Sequence, residues 1–205
     1  MRIASAVAEL GLKHVVITSV TRDDLPDQGA GHYRAVVDAI RGGHPSAIIE
    51  LLIPDMRSSE HELKSIVESG PDVLGHNIET VRRLQGIRDP RSTYEGTLET
   101  LRTIKRLDPS MMTKSSLMLG LGERYDEVIE TLGDLREAGT EMVVMGQYLR
   151  PRNGRLEVHE YVSPETFQKL SQEAQDLGFR QVASGPLMRS SYPTAERDDK
   201  ETPTC

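Results

Sequence analysis

Cysteine is all but missing from this chain: its single example, Cys205, is the last of 205 residues. A lone terminal thiol closes no internal disulfide and makes a poor metal site. Tryptophan is absent and aromatic residues make up only 4%, so the base-stacking platform of a single-strand nucleic-acid binder is not expected. Basic residues are in deficit, 25 Lys and Arg against 32 Asp and Glu for a formal charge of -7. A phosphate-binding face wants the opposite balance, which argues against a nucleic-acid partner. No apolar run approaches the roughly 18 residues of a membrane span, and no membrane partner is expected. The opening Met1-Arg2-Ile3-Ala4 resembles neither a signal nor a transit peptide, which points to the cytoplasm. The histidines at 14, 32, 44, 61, 76 and 159 show no paired spacing that would hold a metal on one helix face, leaving only carboxylates as candidate ligands.

What the chain does have is punctuation. Glu9-Leu10-Gly11, Glu68-Ser69-Gly70, Glu137-Ala138-Gly139 and Asp176-Leu177-Gly178 each precede a short apolar run. Each reads as a helix tail stopped by a glycine and followed by a buried strand, a pattern that belongs to β/α units and a parallel sheet. The patterning predicts strands near 14–19, 47–53, 72–76, 113–119, 141–147 and 180–184, with a helix between each pair and one helix ahead of the first. Helix starts are predicted at Ser59, with Glu62 completing a capping box, at Thr93, and at Ser163-Pro164. No Gly-x-Gly-x-x-Gly follows any strand, which favours a full or partial barrel over an open doubly wound sheet. Residues 1–194 are expected to form one core, and 195–205, charged and poor in apolar residues, a disordered tail.

Barrel sites lie at the C-terminal ends of the strands, and there the sequence is polar. In the stretch 114–123, Lys-Ser-Ser-Leu-Met-Leu-Gly-Leu-Gly-Glu, a strand runs into a glycine-loosened turn closed by a carboxylate, Glu123. Glu123 can hold a ligand donor, or simply favour the first turn of the next helix. Lys114 can bind a carboxylate as a point charge, or lie on the surface like most lysines. Gln147 follows Val143, Val144 and Met145, and an amide there must find partners if buried. His76-Asn77-Ile78-Glu79-Thr80 gathers an imidazole, an amide and a carboxylate at one strand end. Its bland alternative is a Thr80 helix cap and an Asn77 that merely turns the chain.

Five strings then carry a resemblance: Val-Ile-Thr-Ser-Val-Thr-Arg-Asp-Asp-Leu-Pro-Asp at 16–27, His-Asn-Ile-Glu-Thr at 76–80, Thr113 with 114–123, Gly-Gln-Tyr-Leu at 146–149, and Arg-Ser-Ser-Tyr at 189–192. In this order they resemble lipoyl synthase, a family of radical S-adenosylmethionine (SAM) enzymes, over about residues 1–194. Thr21 stands where the family usually has Asp. The resemblance implies an α/β fold, a partial (β/α) TIM-like barrel of the radical SAM type, here with its first strand missing. It implies SAM and two [4Fe–4S] clusters, one cleaving SAM to a 5′-deoxyadenosyl radical and the other consumed as the sulfur source. The product is a lipoyl group, formed by inserting two sulfur atoms at C6 and C8 of an octanoyl chain. That chain is carried on a lipoyl domain, the glycine cleavage H protein or a 2-oxoacid dehydrogenase E2.

By the same resemblance the turn to Glu123 lies along SAM, with Asn77, Lys114 and Gln147 as further contacts. Ser191, or Ser190 beside it, supplies the ligand to the sacrificial cluster, and no catalytic side chain is assigned. The family's two three-cysteine motifs are absent, so the chain resembles a lipoyl synthase truncated at its N-terminus. As it stands it is expected neither to hold a cluster nor to make lipoate. The alternative is a non-catalytic fragment or paralogue that binds octanoyl or lipoyl carrier domains. A third reading, on fold alone, is a metal-independent barrel lyase with Lys114 as Schiff base. An unpaired edge and an exposed apolar interior are expected to favour aggregation.

Overall fold

Six parallel strands pair strictly in chain order, β1-β2-β3-β4-β5-β6, in the computed structural model, which describes residues 2–154 and 156–192. They are β1 (His14–Thr18), β2 (Ile48–Leu52), β3 (Val73–Gly75), β4 (Met112–Leu119), β5 (Met142–Gln147) and β6 (Gln181–Gly185). The helices are α1 (Arg2–Glu9), α2 (Ala30–Gly43), α3 (Glu60–Val67), α4 (Tyr94–Leu107), α5 (Tyr125–Glu137) and α6 (Pro164–Asp176). Every crossover therefore carries a helix, as parallel pairing requires. A doubly wound sheet reverses its strand order at a switch point; this one never does, which is the order of a partial barrel. Among the described residues β1 and β6 each pair on one side only.

The four punctuating glycines do stop helices. Gly11, Gly70, Gly139 and Gly178 all take positive φ, between 60° at Gly11 and 86° at Gly139, where a side chain would be strained. Thr93 and Ser163 cap their helices as predicted, accepting from Gly96 N and Thr166 N. Ser59 does not complete a capping box: it stands at the N-cap, but its hydroxyl donates to the Glu62 carboxylate and accepts no backbone N–H. Thr80 caps nothing either, and its buried hydroxyl has no hydrogen-bond partner among the described residues.

Alternation along each strand divides the side chains between two faces. Toward the helices lie two apolar clusters. One joins α1 to α3 through Val15, Ile49, Leu51 and Leu74; the other joins α4 to α6 through Leu117, Leu119, Val143 and Met145. The opposite, concave face carries His14, Glu50, Lys114 and Ser116 among Val73, Met142 and Val144. The exposed apolar interior expected there is seen only in part: Val73, Met142 and Val144 are buried, at 1% exposure, whereas Val16, Leu52 and Met118 of the same face are half-buried. The chain after β6 turns back against this face, so that a Cβ on Gly146 would meet the Met188 carbonyl oxygen at 2.1 Å. The disordered tail expected at 195–205, and the core boundary at 194, lie outside the described residues.

Candidate functional site

The C-terminal strand ends open onto two adjoining hollows. The first, of about 510 Å³, is lined by Thr18, Ser19, Asp55, His76, Asn77 and Glu79 among others. The second, of about 390 Å³, takes in Ser116, Gly146, Gln147, Tyr148 and Ser190, and shares Asn77 and Glu79 with the first. These sizes fall within the roughly 300–1,000 Å³ range of small-molecule sites. Asn77 and Glu79 are thus the wall between them.

That wall is held from behind. After β3 the chain leaves the ladder and re-enters it at Glu79, which bridges to Leu117: Glu79 N donates to Ser116 O at 2.9 Å and Met118 N donates to Glu79 O at 2.8 Å. To do so Glu79 adopts φ 66°, a strained backbone for a residue with a side chain. Between the two anchor points Ile78 N donates to the buried Ser115 hydroxyl at 3.0 Å. Arg88 donates to Gln85 Oε1 at 2.9 Å and to the carbonyls of Ile78 and Asn77 at 3.3 and 3.4 Å. Asn77 Nδ2 donates to Glu79 Oε1 at 3.0 Å. Burial raises the Glu79 carboxyl above its ordinary pKa, against the opposing effects of Asn77 and Arg88. His76 is buried and neutral: desolvation lowers its pKa. Its Nδ1 lies 2.9 Å from the Ile53 carbonyl, which can only accept, so Nδ1 carries the proton and Nε2 accepts from Thr97 Oγ1 at 3.2 Å.

Glu123 closes its own turn, accepting from Gly120 N at 2.5 Å and Leu121 N at 2.9 Å. Gln147 finds the partners its burial demands: Nε2 donates to the Tyr148 and Glu160 carbonyls, both at 3.0 Å, and Oε1 accepts from Val162 N at 2.9 Å. It thereby pins both ends of the 148–162 connection while lining the second hollow. Lys114 is neither a surface lysine nor open to a ligand. It is 2% exposed and donates to Glu50 Oε1 at 2.6 Å and to the Tyr192 carbonyl at 2.8 Å. It lines neither hollow, so no free amine is presented for a Schiff base. Ser190 is half-buried in the second hollow, whereas Ser191 is exposed and lines neither.

Sequence reasoning missed Glu50 and Arg88. Glu50 had a signal: a carboxylate inside Ile-Ile-Glu-Leu-Leu must be paired if that strand is buried. Arg88 had none, because its site is made by a loop folding back over Ile78.

Among the described residues no group of three or more His, Cys, Asp or Glu side chains is placed to hold a metal ion. Iron–sulfur clusters are held by thiolates, and Cys205 is the sole cysteine. The residues of this chain do not fit a [4Fe–4S] cluster. The paired hollows, with an amide and a carboxylate as their common wall, do fit a ligand with polar ends such as SAM.

The chain order of this parallel sheet is that of a β/α barrel. Residues 1–135 match the Radical SAM superfamily. Solved structures share the fold: methylornithine synthase (PylB) at TM-score 0.68 and 15% identity, covering 88% of this chain and 53% of that one. Streptococcus suis SuiB bound to S-adenosylmethionine aligns at TM-score 0.64 and 8% identity, covering 85% and 39%. Within that superfamily the chain belongs to the lipoyl synthase family. It is 48% identical over 198 residues to the lipoyl synthase of Alkaliphilus metalliredigens, covering 97% of this chain and 68% of the relative. To the apicoplast lipoyl synthase of Toxoplasma gondii it is 49% identical over 196 residues, covering 95% of this chain and only 36% of that relative.

Proposed function

We propose that this chain is the SAM- and substrate-facing core of a lipoyl synthase, acting on octanoyl groups carried by lipoyl domains such as the glycine cleavage H protein or a 2-oxoacid dehydrogenase E2, in the cytoplasm. The observation that carries this reading is the identity to lipoyl synthases along 97% of the chain. SAM, when bound, supplies the radical that opens unactivated C–H bonds for sulfur insertion at C6 and C8. The family's two [4Fe–4S] clusters would require thiolates from outside this chain.

The residues of the chain take different parts. Asn77 and Glu79 face both hollows and offer SAM a donor and an acceptor. Gln147 lines the second hollow and shapes it through the 148–162 connection. Glu123 acts on the same wall indirectly, by fixing the turn after β4. Ser190 opens onto the second hollow and Ser191 stands beside it. Either serine is within the segment that would meet the consumed cluster.

The test joins this chain to the segments of the Alkaliphilus relative that it does not span, reconstitutes the chimera with iron and sulfide, and measures lipoyl formation on an octanoylated carrier domain by mass. We expect sulfur insertion, with Asn77→Ala weakening SAM binding by about tenfold. A folded, cluster-loaded chimera that leaves the octanoyl group untouched would refute the reading. The chain alone is expected to give no product; capture of octanoylated carrier without turnover would favour a binding role.

A further inference from the structure

The most deeply buried charge on the concave face has no part in either hollow. Lys114 and Glu50 meet at 2.6 Å with side chains 3% and 2% exposed. Glu50 Oε2 lies 3.5 Å from His14 Nε2 without forming a hydrogen bond. The three groups come from β4, β2 and β1, and Gly75, the β3 residue registered beside Lys114, has no side chain to obstruct the reach. Removing a charged pair from water is expensive and is offset only by close geometry and further hydrogen bonds. The further bond here leaves the sheet: Lys114 Nζ donates to the backbone carbonyl of Tyr192 at 2.8 Å.

Tyr192 belongs to the return segment 186–192, which makes few other hydrogen bonds to the concave face among the described residues. Met188 O lies in the space left by Gly146, and among the described residues Arg189 Nη1 donates within the segment, to Met188 O at 2.6 Å and Pro186 O at 3.3 Å. Leu187 and Tyr192 are largely exposed, at 81% and 47%. One charge-assisted hydrogen bond to the far end of such a segment counts for more than it would in a packed element. Ser190, two residues back, lies at the edge of the second hollow.

We propose that Lys114 is a positioning residue: oriented by Glu50, its ammonium crosses the concave face to the Tyr192 carbonyl and holds the 186–192 segment, and with it Ser190, over the second hollow. This rests on the proposed function only for the importance of that segment to the reaction, and its test uses neither SAM nor iron.

The test is site-resolved trypsin cleavage, followed by mass spectrometry, on the chain itself. Arg189 reports on the segment; Lys105 and Arg136, in or beside packed helices, report on the fold. Lys114→Met with Glu50→Gln removes the donor without stranding a buried charge. It is expected to raise cleavage after Arg189 by about tenfold relative to the two internal sites. Lys114→Arg keeps a charged donor beside Glu50 and is expected to leave that ratio near its original value. A general loss of stability would speed all three sites together and would overturn the proposal. So would an unchanged Arg189 ratio in the folded double variant. Should that variant not fold, Lys114→Gln with Glu50→Gln keeps a polar pair in place and removes only the reach to Tyr192, with the same outcomes expected. Failure of the chimera to bind SAM would sink the proposed function and leave this result standing.

Discussion

His76 shows how a residue beside a site can serve it without touching a ligand. Both ring nitrogens are occupied, by Ile53 O and Thr97 Oγ1, and burial holds the ring neutral. The consequence is a pH dependence of known sign. The unfolded chain protonates this histidine below about 6.5, the ordinary value, while the folded chain resists. The unfolded state then binds more protons, so stability falls as pH falls below that value, with a slope of up to about 1.4 kcal/mol per pH unit for one proton. Replacing His76→Asn should flatten the fall in melting temperature between about pH 6.5 and pH 5. An unaltered slope would mean another group is responsible. Glu127 works at lower pH: Arg83, the backbone N–H of Arg124 and nearby charge hold its carboxyl at about 2 against an ordinary 4.5. Its contribution is complete above 4.5 and lost as pH drops toward 2. Glu127→Gln should therefore narrow the stability gap between the mildly acidic and strongly acidic ends of a pH series of urea melts.

Among the elements, the turn after β4 is tightly constrained. Gly120 has φ 93°, and a Cβ there would lie 2.2 Å from Gln147 Nε2 and 2.3 Å from Glu160 O. Gly120→Ala should destabilise by at least about 2 kcal/mol, combining backbone strain with displacement of the 148–162 connection. Gly133, inside α5 with nothing within 4 Å of its would-be Cβ, makes the opposite case. Gly133→Ala should stabilise by about 0.5–1 kcal/mol. Chemical denaturation of both variants checks the pair, and equal effects would show that the close packing at Gly120 is not felt. The strands and the helix stops were legible in the sequence because glycine punctuation and apolar runs are local signals. The Ser59 box was misread because a serine–glutamate pair three apart satisfies the pattern whether the hydroxyl accepts from backbone or donates to the carboxylate. The site was legible by place and less by role. Polar strand ends pointed to the mouth, yet Lys114 and Glu123 spend their hydrogen bonds on the chain itself. Their partners, Tyr192 O 78 residues away and the N–H groups of the turn, follow from backbone geometry that composition does not record.

At the scale of the molecule, α4 joins the two apolar clusters: Ile104 belongs to the first and Leu101 to the second, both fully buried. Ile104→Ala should cost about 2–5 kcal/mol and raise amide exchange in both α2 and α5; a change confined to β1–β3 would show that the halves open separately. The larger apolar mass sits under the helices, and no helix among the described residues is long and apolar enough to cross a membrane. The strand order has a further meaning. Because each strand after β1 pairs with the one before it in the chain, each later β/α unit emerging from the ribosome finds its docking edge already made. No strand waits for a neighbour synthesised much later, as the central strand of a reversed sheet must. Synthesis and assembly can run in the same direction, one unit behind the other.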